Sequence, residues 1–300
     1  MKRNLHIGSL ILLITILLAA ACKKSIEQPN QNPVPGTNHL PDSTLNNQAV
    51  PDTLIPYPLN PTPECSFAPD YGDSIVYPQP PTSGDYYVNP INNQGVDGTY
   101  LSWPDGLKMN TKTGAIDLTK SETGQRYDVA FVKSGTTDTC LSHLIVAGAA
   151  YMDSVYVLAI SDTTAKPYFN ANPYGPPVCQ GTQGQGCQFD YNNYAHNQGI
   201  EIDQNTGFID LKKTMKNSLF GLLPINGTTI NTTIYYKLND NSNYAPQKIQ
   251  LQIMFYNHKS DIPPSLLASI TNKLLNALTD LLISKAPSTR PPIIIITRNN

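Results

Sequence analysis

The sequence predicts an all-β protein: two tandem β-sandwich domains, residues 71–149 and 150–258, with a C-terminal amphipathic helix. Three observations carry that prediction. Charged residues are only 14% of the 300-residue chain, while Tyr, Asn, Thr, Gly and Pro are abundant. That is the composition of exported β structure rather than of a helical cytosolic protein. A hairpin-like segment occurs twice, and each copy runs on into strands of alternating apolar and polar residues, the period of a half-buried strand.

Residues 1–21 read as a signal peptide. Lys2 and Arg3 precede an apolar run from Ile7 to Leu18, which is short of the ~20 residues a spanning helix needs. The run closes as Leu18-Ala19-Ala20-Ala21-Cys22. Small residues before a cysteine at that place resemble the lipobox of bacterial lipoproteins. The resemblance implies cleavage before Cys22, acylation of Cys22 and a mature protein held at a membrane by its first residue. Removing Lys2 and Arg3 takes the 20 basic residues to 18 against 22 acidic ones, a net charge of −4. There is no basic stripe, which argues against a nucleic-acid partner.

Residues 22–70 hold the lipidated cysteine and a tether. From Pro29 to Pro69 there are ten prolines among Asn, Gln, Thr and Ser. Such a segment cannot bury a core, and its prolines favour extended conformations. Fully stretched it spans up to about 150 Å, at ~3.1 Å per residue.

The repeat follows. Tyr71-Gly-Asp-Ser-Ile-Val returns 80 positions on as Tyr151-Met-Asp-Ser-Val-Tyr. Gly106-Leu-Lys-Met-Asn-Thr-Lys-Thr-Gly-Ala-Ile-Asp-Leu-Thr-Lys120 returns 93 positions on as Gly199-Ile-Glu-Ile-Asp-Gln-Asn-Thr-Gly-Phe-Ile-Asp-Leu-Lys-Lys213. The difference of 13 places an insertion in the second copy, in the segment with Cys179 and Cys187. Asn110 and Asp203 suit Asx turns. Gly114 and Gly207 supply the positive φ that closes the loop. Ile116 and Leu118, like Ile209 and Leu211, point inward on the return strand. Tyr127, Val129 and Phe131 then share a face, as do Ile230, Thr232, Ile234, Tyr236 and Leu238 in the second copy. A strand from Leu141 to Ala147 closes the first copy, and Ile249, Leu251, Ile253 and Phe255 alternate with polar residues to close the second.

The pattern around the two Thr-Gly turns, with Gly124-Gln-Arg-Tyr127-Asp-Val129 after the first, resembles the cadherin-like and immunoglobulin-like repeats of large bacterial surface proteins. The resemblance implies an immunoglobulin-like sandwich in each copy and is nearly silent on function. The second copy lacks the Gly-x-x-Tyr-x-Val segment between Lys212 and Thr229. Four cysteines lie beyond Cys22, and they allow three pairings. Cys179 and Cys187 flank a glycine-rich loop that can bend back on itself, and a bridge there is favoured over a metal site in an exported chain. Its closure is worth roughly 2.5 kcal/mol. The sandwich that the resemblance implies sets its first strand beside its last, which suggests the pairing of Cys65 with Cys140.

Residues 259–300 differ in kind. After Pro263-Pro264, apolar residues from Leu266 to Leu282 recur at three and four positions, predicting a helix that ends near Lys285. That stripe is expected on the second sandwich. Ile293 to Ile296, after Pro291-Pro292, are expected to add an edge strand.

The chain shows no constellation for catalysis, and no cofactor or metal is expected. His39, His143, His196 and His258 have no ligand-spaced partners. Asp117 and Asp210 recur beside a turn, where an Asp caps the backbone. Calcium is conceivable at Asp203-Gln-Asn-Thr or at Asn239-Asp-Asn-Ser-Asn, although turn chemistry explains both. The candidate binding surface is the inserted segment, where Tyr168, Tyr174, Tyr191 and Tyr194 stand among amides. Rings stack on sugar faces while amides bond hydroxyls. Ser43, Thr53, Ser74, Ser154 and Thr163 each follow an aspartate. Those sequences look like the acceptors of general O-glycosylation in Bacteroidetes. The expectation is a lipid-anchored, non-enzymatic binding or adhesion protein of the outer membrane, with a glycan or envelope protein as ligand. The alternative is a structural subunit of an envelope complex docked through the C-terminal helix.

Overall fold

Both Thr-Gly turns are closed by the same hydrogen bonds. In the computed structural model, which describes residues 65–160, 163–179, 186–279 and 291–300, the Asn110 side chain accepts from the amides of Lys112 (2.9 Å) and Thr113 (3.1 Å). The Asp203 carboxylate accepts from the amides of Asn205 and Thr206, each at 2.9 Å. Gly114 and Gly207 donate 2.8 Å back to the carbonyls of Asn110 and Asp203. Their φ values are 72° and 73°. A Cβ would stand 2.7 Å from the Tyr100 ring in one and 2.8 Å from the Phe189 ring in the other, so glycine is required twice over. Tyr71 and Tyr151, the first residues of the repeat, donate to the carbonyls of Gly114 (2.8 Å) and Gly207 (2.5 Å).

The first half contains strands β1 (Ile75–Val76), β2 (Tyr87–Val88), β3 (Gly98–Trp103), β4 (Ile116–Asp117), β5 (Gln125–Lys133) and β6 (Thr139–Val146). One sheet runs β1-β6-β5-β3, and β2 pairs with β4. The second half contains β7 (Ala149–Tyr151), β8 (Ser154–Val157), β9 (Thr164–Ala165), β10 (Pro167–Phe169), β11 (Gln188–Phe189), β12 (Ile209–Asp210), helix α1 (Leu211–Lys216), β13 (Thr228–Lys237), β14 (Gln247–His258), helix α2 (Pro264–Thr279) and β15 (Ile293–Asn299). Its main sheet runs β11-β13-β14-β15-β8, with β9 on β12 and β7 on β10. The pairings β2–β4, β3–β5 and β5–β6 recur as β9–β12, β11–β13 and β13–β14. Strand exceeds helix by 37% to 10%, so the chain is all-β.

The alternation of the sequence decides which face is buried. Tyr127, Val129 and Phe131 are fully buried, as are Ile234, Tyr236 and Leu238, and Ile249, Leu251, Ile253 and Phe255 follow on β14. Each half has its own apolar cluster. The offset between matched positions grows from 77 (Val88 to Ala165) to 89 (Tyr100 to Phe189), so the insertion lies between β9 and β11. The disulfide Cys179–Cys187 spans it, and a second joins Cys65 to Cys140; their Cα separations are 5.3 and 5.2 Å.

The tail departs from expectation. In the first half β1 pairs directly and in parallel with β6. In the second, β15 lies between β8 and β14, parallel to both. It is an interior strand, not an edge. Ile294 and Ile296 enter the main core, while Ile295 joins Tyr256, Ile262 and Ile270 on the other face, with Leu266 and Leu267 of α2 against them. Ile294, Ile295, Ile296 and Thr297 are all fully buried. A run of four isoleucines suits a strand covered on both faces. The predicted helix end near Lys285 lies outside the described residues. Among the described residues no helix is long and apolar enough to cross a membrane.

The segment from Lys212 to Thr229, where the second copy has no Gly-x-x-Tyr-x-Val, forms α1 and a loop. Asp210 caps α1 by accepting from the Lys213 amide (2.9 Å), as Asp117 accepts from Thr119 and Lys120. The two halves meet at the buried Tyr236 hydroxyl. It bonds Thr123 Oγ1, accepts from the Ala149 amide (2.9 Å) and donates to Gln247 Oε1 (3.0 Å). Gly148 has φ 143°, and a Cβ there would lie 2.4 Å from that hydroxyl and 2.5 Å from Gln247 Oε1.

Gly148→Ala lowers stability by about 2 kcal/mol or more in urea melts, well beyond Gly135→Ala, whose Cβ would meet open space. Burial, then the neighbouring phenols, push the Tyr71 and Tyr151 hydroxyls above their usual range. The unfolded chain therefore loses these protons first. Their contribution is complete below about pH 10 and declines as pH rises toward the raised folded values. Tyr71→Phe costs about 1–2 kcal/mol at neutral pH, and the gap from the parent narrows above pH ~10.

Candidate functional site

Strand alternation sets Tyr236 inward and Tyr235 outward on β13. On the outer side Tyr235 meets two residues of the loop after β11. The Tyr191 ring lies 6.5 Å from it and the Tyr194 ring 5.8 Å, both edge-on. The Lys237 ammonium sits 4.8 Å above the Tyr191 ring. Tyr191 is 39% exposed and Tyr194 46%. Burial, then the neighbouring Tyr235, raises the Tyr191 phenol above its ordinary value.

The loop that carries these rings is built around Asp190. Its side chain is fully buried and its φ is 48°. The carboxylate accepts from the amides of Ala195 (2.9 Å) and His196 (2.8 Å). Gln204 donates to the Asp190 carbonyl (3.3 Å) and to Asn193 Oδ1 (2.8 Å). Beneath, Phe189 stacks on Tyr236 with ring centroids 5.4 Å apart. The tyrosines thus stand on a loop whose backbone is fixed from inside.

Of the four tyrosines expected at a surface, Tyr191 and Tyr194 come together through Tyr235, which the sequence reading did not single out. Tyr168 is half-buried on β10, paired with Ala150 of β7. Tyr174 is 66% exposed on the following turn, its amide bonded to Asn172 Oδ1. The period of β13 marks Tyr235 as outward, but nothing local says what it faces.

Two further features were not legible. A groove of about 570 Å³ beside the first Thr-Gly turn is lined by Asn89, Asn93, Gln94, Asp97, Tyr100 and Lys112 among others. Across the first sheet, Trp103, Asp128 and His143 stand in one row on three strands. Asp128 is fully buried, and His143 Nδ1 lies 2.5 Å from its carboxylate. Arg126 is 3.3 Å from the same nitrogen and 4.0 Å from Asp128. A nitrogen that donates to Asp128 cannot also accept from Arg126, so the guanidinium acts there through its charge.

One oxygen of each carboxylate considered for calcium accepts within its turn. Burial pushes the Asp203 carboxyl up, but hydrogen bonds from the Thr206 amide and hydroxyl and the Asn205 amide outweigh it and hold it below the usual range. Asp240 accepts from the Ser242 amide. Among the described residues no group of three or more His, Cys, Asp or Glu gathers as metal ligands would. Ser74 is exposed just before β1, Ser154 opens β8 and Thr163 precedes β9, both half-buried. Cys22, His39, Ser43 and Thr53 lie outside the described residues.

Asp190→Ala removes the acceptor of two backbone amides, that of Ala195 buried and that of His196 partly so, and costs about 1–3 kcal/mol. In hydrogen exchange the Ala195 and His196 amides lose protection before the β13–β14 ladder does. No protein-family model matches the chain, and no curated protein matches it.

Proposed function

We propose that the chain is a non-enzymatic binding protein of the bacterial cell envelope. In this reading it is lipid-anchored at Cys22, lifted on the residue 22–70 tether, and folded as two tandem immunoglobulin-like sandwiches, 71–149 and 150–258. The outer membrane is its place and a glycan or envelope protein its ligand. The repeated strand pairings of the two halves and the two disulfides support the tandem sandwiches and an exported chain.

One observation carries the binding reading: the Tyr191, Tyr194 and Tyr235 rings form an open aromatic face beside Lys237 on a rigid loop. Exposed rings suit flat, hydroxyl-rich ligands such as sugar rings, which stack on them and bond through the phenols. The rival reading, docking through the C-terminal helix, has less support. Ile270 and Ile295 are buried together in one cluster, so the start of that helix is used by its own sheet.

The test is a glycan array probed with residues 22–300, followed by calorimetry on any hit. Tyr191→Ala or Tyr194→Ala weakens the bound glycan roughly tenfold, which is about 1.4 kcal/mol, and leaves the melting curve in place. An array with no hit, or a hit indifferent to both substitutions, refutes the tyrosine face as the site.

A further inference from the structure

The second half carries an apolar protrusion that its own fold leaves uncovered. After α1, Leu219 and Phe220 turn inward, and the Phe220 ring lies 5.6 Å from Phe255. Gly221, with φ 80°, reverses the chain, its amide bonded to the Ser218 carbonyl (2.8 Å). Leu222, Leu223 and Ile225 then stand 90, 88 and 73% exposed. The far side is pinned. Asn226 Oδ1 accepts from the Asn257 amide (2.7 Å), Asn226 Nδ2 donates to Asp261 (3.0 Å), and the Gly227 amide reaches the Phe255 carbonyl (2.8 Å). The loop is held at both ends and its aliphatic tip stands exposed.

Exposed lysines lie near it in the sequence. Lys212, Lys213 and Lys216 are exposed on α1, directly before the protrusion. Lys213 shares its charge with Glu201 and Asp210, each at 3.8 Å. Among the described residues Lys212 and Lys216 are not ion-paired. Lys259 and Asp261 flank the other base. A convex tip of three aliphatic side chains offers no polar atoms for directional recognition. Three side chains are also few beside the ~20 or more residues a side of a stable protein interface. Apolar side chains projecting beside amines match a bilayer, with acyl chains below and phosphates above.

We infer that Leu222-Leu223-Pro224-Ile225 is a membrane-contacting tip that enters an anionic bilayer while Lys212 and Lys216 meet its headgroup phosphates. This goes beyond the glycan reading and does not need Cys22 to be acylated.

The test uses residues 22–300 with Cys22→Ser, which keep the compact unit Ile55–Asn300 whole, and vesicles of phosphatidylethanolamine with phosphatidylglycerol. The parent sediments with these vesicles and only weakly with phosphatidylcholine alone. Leu222→Ser with Leu223→Ser weakens binding roughly tenfold. Lys212→Gln with Lys216→Gln weakens it less and removes much of its salt dependence. Urea midpoints of both variants match the parent, because the side chains changed are exposed. Absent vesicle binding, or binding that the Leu222→Ser/Leu223→Ser variant retains, overturns the proposal. So does self-association without vesicles that this variant abolishes, since the tip then covers a second copy. Tyr191→Ala leaves vesicle binding intact, so the two readings fail separately.

Discussion

A single buried hydroxyl ties the molecule together. The Tyr236 phenol meets Thr123 of the first half, the Ala149 backbone at the crossing and Gln247 on the next strand. A phenol that far from water must satisfy its donor and its acceptor within the protein. Here it does so by bonding groups from both halves. The chain passes over it at Gly148, where any side chain would collide with the same hydroxyl. Gly124 is as tightly placed, since a Cβ there would stand 2.3 Å from the Ala149 carbonyl oxygen. The constraint is steric and polar at once, and it makes the junction a packed interior rather than a linker. Contacts from Gln79 to Asn241 and Asn243 add a second point of attachment.

The same strand supplies the candidate binding face. Tyr236 points in to the junction and its neighbour Tyr235 points out to Tyr191 and Tyr194. A one-residue slip of β13 would exchange them, burying one face's chemistry in the other. The register of nine pairs between β13 and β14 holds that choice. The candidate face and the fold are thus coupled through strand parity: the outward tyrosine is positioned as firmly as the inward one.

The two halves show how a duplicated unit can diverge without losing its frame. Their turns, caps and tyrosine-to-glycine bonds superimpose in kind. Their sheets differ because the second admits β15 between β8 and β14, where the first lets β1 meet β6 directly. The added strand brings a second apolar face to the sheet, and that face requires a cover, which α2 begins to provide. An unpaired isoleucine strand would be an aggregation hazard, and placing it inside the sheet removes the exposed edge.

Much of this was legible in the sequence. The all-β class, the Asx turns at Asn110 and Asp203, the glycines at 114 and 207, the capping role of Asp117 and Asp210 and the buried faces of β5, β13 and β14 all follow from residues within a few positions of each other. Local hydrogen bonds and the two-residue period need no knowledge of the rest of the chain. What the tertiary structure alone decided are the meetings between distant segments. These include β15 as an interior strand, Tyr235 beneath Tyr191 and Tyr194, the row of Trp103, Asp128 and His143, and the hub at Tyr236. Their neighbours are set by strand order and register, which arise when the whole sheet closes and which no single stretch of sequence encodes.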